Sequence, residues 1–528
     1  MSSIMLFAPS PPPWKKPRFR RTSQFIWTSI LEWVYTPGRA ERLLEYIRGQ
    51  LAPRDEIEFW RIWQDMDFGH RVLSHLTKHI VNATLSMGYF AKKERRANME
   101  KTDPRYPHFV QILREELVPA MGCTEPIAIA YGAAKAREVL GCLPDRILVE
   151  ASGNIIKNVK SVVVPNTGGL KGIEAAAAAG AVAGDAGKIL EVISAVTDEQ
   201  KVEIRNYLSG HGIKVKPAAG EVIFDIILTL WAGEDCVRLR IADYHTNIVL
   251  IEKNGEALLK CGTVVASGGA ASGLTDRSCL TVDAIVDFVD TMDVEDVRPM
   301  VERQLAYNCA IAGEGMAHDW GANIGKVLRE YYGEDVKVRA RYMAAAGSDA
   351  RMSGCEMPVI IVSGSGNQGI TASVPVAEYA KELGVSHEKL LRAVALSDLL
   401  TIHMKTGIGR LSAYCGAVSA GCAAGGAIAY LHGGGRREVA HTLVNALATI
   451  SGMICDGAKP SCAAKIAAAV DAGVLGYHMF RSGQQFRGGE GIVTKGVEET
   501  IANIGRLGRV GMRETDKVII RIMTGDED

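Results

Sequence analysis

Ser451-Gly-Met-Ile-Cys-Asp-Gly-Ala-Lys-Pro-Ser-Cys462 is the stretch on which the reading of this chain turns. An apolar helical run, Thr442 to Ile450, leads into it. Gly452, Gly457 and Pro460 break it, and a small-residue helix, Ala463 to Val474, opens behind it. Glycine and proline are the strongest local breakers of regular structure, so a sharp turn between two buried helices is expected. The turn carries Cys455 and Cys462 with six residues between them, and Cys415 lies forty positions before Cys455 in Leu411-Ser-Ala-Tyr-Cys-Gly416. Thiolates gathered by a tight turn are a common way to hold a soft metal centre. A buried cysteine is also simply a small hydrophobe, and for each of these taken alone that plain reading is favoured. A Cys-x6-Cys pair speaks for metal less strongly than Cys-x2-Cys does. The Gly/Pro/Asp break between the two strengthens the metal reading without deciding it.

Working outward, 528 residues suit two to four domains or one large composite. Apolar residues make up 47% and aromatics only 6%, which describes a core packed by Ala, Gly, Val and Ile rather than by rings. The formal net charge is zero, so nothing points to nucleic acid or an anionic membrane surface. Eleven cysteines, unevenly placed in so long a chain, are not a secreted disulfide framework. A cytoplasmic protein is expected. The basic segment Pro9 to Arg21 precedes an apolar run broken by Thr28, Ser29 and Glu32, a poor signal peptide. Leu411 to Leu431 is uncharged and long enough to span a bilayer, but it is mostly Ala, Gly, Ser and Cys. A buried helix with close backbone approach is the better account, and no membrane partner is expected.

Residues 1–98 differ in texture, holding five of the seven tryptophans (Trp14, Trp27, Trp33, Trp60, Trp63) and little Gly or Ala. Lys92-Lys-Glu-Arg-Arg96, just before Met99, can be written in purine-only codons, like a translated ribosome-binding site. The expectation is that Met99 is the true start and that 1–98 is upstream sequence; the other reading is an arginine-rich helical appendage. From Pro107 on, Phe109, Ile112, Leu113, Leu117 and Val118 recur at helical spacing. Between Glu191 and Cys261 the pattern changes to short alternating strands with the hairpin cue Lys253-Asn-Gly255. The expected fold is mainly α with an inserted α+β lobe. Residues 99–190 form the first part of the helical body, 191–262 the lobe, and 263–528 the rest of the body with the cysteine turn.

Cys123, in Gly122-Cys-Thr-Glu-Pro126, directly precedes a helix start, where the macrodipole and free N–H groups favour thiolate. A plain turn cysteine is the competing reading. Ser348-Asp-Ala-Arg-Met352 and Ser363-Gly-Ser-Gly-Asn-Gln-Gly369 read as polar breaks between apolar runs. The second, with Ser363, Gly364, Ser365, Asn367 and Gln368, is similar to an anion cradle leading into a helix. It lacks the Lys-Ser/Thr ending of a P-loop and the spacing of a dinucleotide fingerprint. His245 and His403 are read first as satisfied core residues.

Gly122-Cys-Thr-Glu-Pro126, Ser348-Asp-Ala-Arg351, Ser363 to Thr371, Arg410-Leu-Ser-Ala413 and Ser451 to Ala458 together resemble the L-cysteine desulfidases. That family is related to the α-chain of iron–sulfur L-serine dehydratases. The resemblance runs in order from about Lys101 to Met523 and leaves out 1–98. It implies a [4Fe–4S] enzyme that splits L-cysteine, a small-molecule amino-acid substrate, into pyruvate, ammonia and sulfide. By the same resemblance Cys415, Cys455 and Cys462 match the cluster ligands and Cys123 the catalytic base, with a ligand role for Cys123 ranked second. Three protein thiolates would leave one iron open as a Lewis acid. The Ser363–Gly369 loop is the expected holder of the substrate carboxylate. A homo-oligomer is expected, and no nucleic-acid partner. L-Serine dehydration and a non-catalytic iron–sulfur protein are the alternatives.

Overall fold

The computed structural model describes residues 99–261 and 274–525; the expected extension 1–98 lies outside them. The chain runs through helices α1 (Tyr106–Glu116), α2 (Thr124–Leu140), α3 (Gly153–Val159), α4 (Gly172–Ala183) and α5 (Asp198–Gly210). Strand β1 (Pro119–Met121) precedes α2, and β2 (Arg146–Ala151) precedes α3. Four strands follow: β3 (Gly212–Pro217), β4 (Asp225–Ala232), β5 (Asp235–Ala242) and β6 (Ile248–Lys253), and then β7 (Glu256–Lys260). The remainder is almost wholly helical: α6 (Val282–Thr291), α7 (Arg298–Ala317), α8 (Ile324–Tyr332), α9 (Val336–Met352), strand β8 (Pro358–Ile360) and α10 (Gly366–Leu383). It closes with α11 (His387–Ile408), α12 (Gly416–Leu431), α13 (Arg436–Ile450), α14 (Cys462–Arg481), α15 (Val497–Arg506) and α16 (Arg513–Thr524). The fold is mainly α with a small mixed sheet, as the sequence pattern led one to expect.

The sheet has the order β3-β2-β4-β5-β6-β7, with β2 and β3 parallel and every other pair antiparallel. Alternation explains its sidedness. Val237, Leu239 and Ile241 of β5 point into the core while Arg238 points out. Helix α2 packs on β4 and β5, and Gly132 lets Leu228 come within 2.5 Å of where a Cβ would stand. Asn254 and Gly255, both at positive φ, make the hairpin turn that Lys253-Asn-Gly255 announced. The lobe is wider than 191–262, because β2 is drawn in from 146–151 between β3 and β4. Three α-helices and a 3-10 helix separate β2 from its partners in sequence, so local texture did not join them.

In the helical body α12 is central, packed against α10, α11, α13 and α14. Every residue from Ala417 to Leu431 is buried. A Cβ added at Gly421 would enter the backbone of Ala469, and one at Gly425 or Gly473 would enter the facing helix, so α12 and α14 touch main chain to main chain. That is the close approach expected of a small-residue segment. Among the described residues, no helix is long and apolar enough to cross a membrane. Two miniature ladders position the ends of the helices. β1 pairs antiparallel with β8, setting the starts of α2 and α10 side by side. An isolated bridge between Tyr414 and Ile454 does the same for the loops that carry Cys415 and Cys455.

Candidate active site

Cys415 is the N-cap residue of α12, and Cys462 is the first residue of α14. Cys455 lies on the turn between α13 and α14. The bridge holds it close, with Cys415 N donating to Met453 O (3.1 Å) and Cys455 N donating to Ala413 O (2.6 Å). The turn is stapled by Asp456, which pairs with both Lys459 and Lys465, while Lys465 Nζ also donates to Ile454 O at 2.9 Å. Gly457, at φ 91°, lies so tightly against the carbonyl of Lys157 on α3 that no side chain fits. The turn is therefore rigidly seated.

All three cysteines line one cavity of about 100 Å³, and Cys123 lines it too. The starts of α2, α10, α12 and α14 converge there, and none of the N-cap residues Cys123, Ser365, Cys415 and Ser461 makes a side-chain cap. Thr197, Thr281, Asp335 and Ser386 cap other helices with side-chain oxygens, while α1, α3, α4, α7, α8, α15 and α16 also start without such a cap, so it is the convergence of starts that marks the cavity. Four uncapped starts leave backbone N–H groups and the positive ends of four macrodipoles at one place, which favours negative guests.

The donor set suits a [4Fe–4S] cluster. Among the described residues no three His, Cys, Asp or Glu side chains lie close enough to grip a single ion. Cys415, Cys455 and Cys462 stand around a cavity instead, and soft thiolates spread around a cavity are what a multi-iron cluster takes. Burial, then the charge of Cys455, pushes the Cys415 thiol up to about 12, and burial raises Cys462 as well. A metal displaces such protons when it binds. Lys405 of α11, 5% exposed, is pulled down to about 8 by burial while Cys455 and Cys415 draw it back up.

Cys123 is 2% exposed and its Sγ–H donates to Glu125 Oε2 at 3.0 Å. The expectation of a thiolate made by the helix start is corrected here. Burial, and next the Glu125 charge, push the thiol well above its ordinary value and outweigh the macrodipole. The ionised member of the pair is Glu125. Burial works to raise it, but His245 and then the Cys123 thiol outweigh this and hold it at about 2. Asn158 Nδ2 donates to Glu125 Oε1 at 3.0 Å, and His245 Nε2 stands 3.8 Å from the same oxygen. The Thr124 hydroxyl donates to Gly364 O at 2.8 Å and lies 3.2 Å from Glu125 Oε2, latching α2 to the turn before α10.

In that turn Val362 and Ser365 exchange backbone hydrogen bonds of 3.1 and 3.0 Å across Ser363 and Gly364, both at positive φ as in a type I′ turn. Ser363 and Gly364 therefore shape the loop, whereas Ser365, Asn367 and Gln368 line the cavity. Among the described residues, Asn367 Oδ1 and Gln368 Oε1 are buried without a hydrogen-bond partner. Ser348 to Met352, expected as a break, is the last part of α9, and Arg351 points from it to the cavity. Asn158 and Lys405 escaped sequence reasoning altogether, although a lysine among the apolar residues of α11 was a usable sign. Glu125 entered the sequence reading only as part of the Gly122–Pro126 string, and His245 only as a core residue.

The family model described as serine dehydratase alpha chain matches residues 187–521. A UPF0597 protein of Desulfitobacterium hafniense is 63% identical over 425 residues, 80% of this chain and 98% of that protein. UPF0597 proteins of Lachnoclostridium phytofermentans and Treponema denticola are each 49% identical, over 423 and 427 residues, covering 79% and 80% of this chain and 99% of each relative. The relation to the dehydratase α-chain read from the motifs is borne out. With its fold, its cysteine-lined cavity and these matches, the chain belongs to the serine dehydratase alpha chain family and is a serine dehydratase-like lyase.

Proposed function

We propose that this chain is a β-eliminating lyase that converts L-cysteine to pyruvate, ammonia and hydrogen sulfide, with a [4Fe–4S] cluster held by Cys415, Cys455 and Cys462. The observation that carries the reading is the meeting of these three cysteines with the Cys123–Glu125 pair at one cavity. Held by these three cysteines, the cluster would supply a Lewis acid for the departing β-substituent. The proton chemistry belongs to the chain itself. An amino-acid Cα–H is weakly acidic and needs a placed base. Cys123 Sγ takes that proton as its own crosses 3.0 Å to Glu125, so the two act as one base with sulfur at the substrate end. Asn158 and Thr124 fix the carboxylate, and His245 favours its ionised form before the transfer. The aminoacrylate released tautomerises and hydrolyses in water, so no further group is required.

L-Serine differs from L-cysteine in one atom and is the competing substrate. Anaerobic purification, iron and acid-labile sulfide assay, and pyruvate and sulfide measurement with both amino acids test the reading. About four irons per chain are expected, with pyruvate and sulfide from L-cysteine. Pyruvate from L-serine alone would make the protein a dehydratase, and iron-free protein with full activity would remove the cluster from the reading.

A further inference from the structure

Arg351 is 3% exposed, and among the described residues its guanidinium makes no hydrogen bond or ion pair. An ion removed from water without a partner costs several kcal/mol, so such a group persists where an anion completes it. The nearest carboxylate does not do so. Glu125 already takes Asn158 on one oxygen and Cys123 on the other, and it makes no ion pair with Arg351. The guanidinium lies instead across the first residue of α10. A Cβ at Gly366 would stand 2.7 Å from Arg351 Cζ, so glycine there lets the charge sit against the helix start. The first-turn N–H groups of α10 have no side-chain cap, and Ser365, Asn367 and Gln368 line the same cavity. A fork of N–H donors beside a free helix start matches a planar carboxylate better than it matches a spherical anion.

We propose that Arg351, together with the open N-terminus of α10, forms the subsite for the α-carboxylate of the substrate. This rests on the lyase reading above and moves the main charge for that carboxylate from the Ser363–Gly369 loop to the end of α9. The subsite places the carboxylate between Cys123 and α10. Lys405 lies elsewhere on the cavity wall, where its charge neighbours are Cys455 and Cys415. Arg351 has Cys123, Glu125 and Cys462 as its charge neighbours, so it stands between the base pair and one edge of the thiol set.

Calorimetric titration of the anaerobic holoenzyme with L-alanine, which has no β-leaving group, and with L-alaninamide, which has no carboxylate, tests this without turnover. The wild type should bind L-alanine about 100-fold more tightly than L-alaninamide. Arg351→Gln should lose about 100-fold in L-alanine affinity, with Arg351→Lys in between and iron and acid-labile sulfide unchanged in both. Equal affinity of Arg351→Gln and wild type for L-alanine would overturn the proposal. So would loss of iron from Arg351→Gln with its fold intact, since the charge would then serve the cluster. Should that variant not fold, the wild-type comparison of the two ligands decides alone, and equal binding refutes the subsite. A wild type that separates the two ligands yet releases no pyruvate would sink the lyase reading and leave the subsite standing.

Discussion

Behind the cysteine turn and in front of it, buried basic side chains are treated in opposite ways. Behind it Lys157, 2% exposed, meets Asp516 Oδ1 of the last helix at 2.5 Å. Arg277 and the half-buried Arg410, which itself lines the cavity, are also paired, both reaching Glu116 Oε1 at 3.0 Å, with Arg277 also on Glu115 Oε2. In front, Arg351 and Lys405 are as deeply buried and, among the described residues, have no side-chain partner. A paired charge holds two segments together. An unpaired one costs stability and marks where something else is to be bound. At the cavity, then, Arg410 is held by Glu116 while Arg351 and Lys405 stay open to a guest.

Breaking the closed side should cost most. Lys157→Met strands Asp516 and should lower unfolding free energy by about 3–5 kcal/mol, with Lys157→Met/Asp516→Leu regaining most of it. Denaturation midpoints check this, and a neutral single variant would show that the pair does not hold α16. On the open side the sign reverses. Lys405→Met should stabilise the cluster-free protein by about 2 kcal/mol, read as a rise in melting temperature, while iron is lost faster on dilution into chelator. Destabilisation would mean that Lys405 has a structural partner after all.

A buried acid sharpens the contrast through pH. Among the described residues, Asp398 of α11 takes one hydrogen bond, from Gln304 Nε2 at 2.8 Å, and its Oδ2 has no partner. Burial raises it from 3.8 to about 8, against the pull of that bond. Between these values the folded state holds a proton that the unfolded state has released, so stability falls as pH rises through the window and the full cost stands above pH 8. Asp398→Asn should flatten this slope and gain on the order of 2 kcal/mol at pH 9. An unchanged difference between the stabilities at pH 5 and pH 9 would show that the acid is solvated. The smallest effect is expected at Asn367, whose Oδ1 has no partner among the described residues. Asn367→Ala should raise KM about tenfold, near one hydrogen bond, at constant iron content; an unchanged KM would take it out of substrate binding.

The parts of this molecule legible in its sequence were those made by neighbours along the chain. The uncharged small-residue run before Leu431 is a buried helix, Asn254-Gly255 is a hairpin turn, and the Gly/Pro break does carry Cys455 round to Cys462. The cavity itself was legible only as separate strings of residues. What drew them together are pairings across great separations, such as Pro119 with Ile360 and Thr124 with Gly364, and no local pattern records these. The error over the Cys123 thiol has the same origin. Its helix start was visible, but its burial, and with it the power of Glu125 two residues on, was not.

Gly421, Gly425 and Gly473 do more than save space. Because α12 and α14 are fused along their flanks, their leading ends cannot drift apart, and each leading end bears a sulfur, Cys415 on one and Cys462 on the other. The helix pair behaves as a caliper, with its jaw opening set at glycines well away from the jaws. A single methyl group added at that seam would spread the tips, so a change that touches no sulfur would still alter which inorganic guest the pair can grasp.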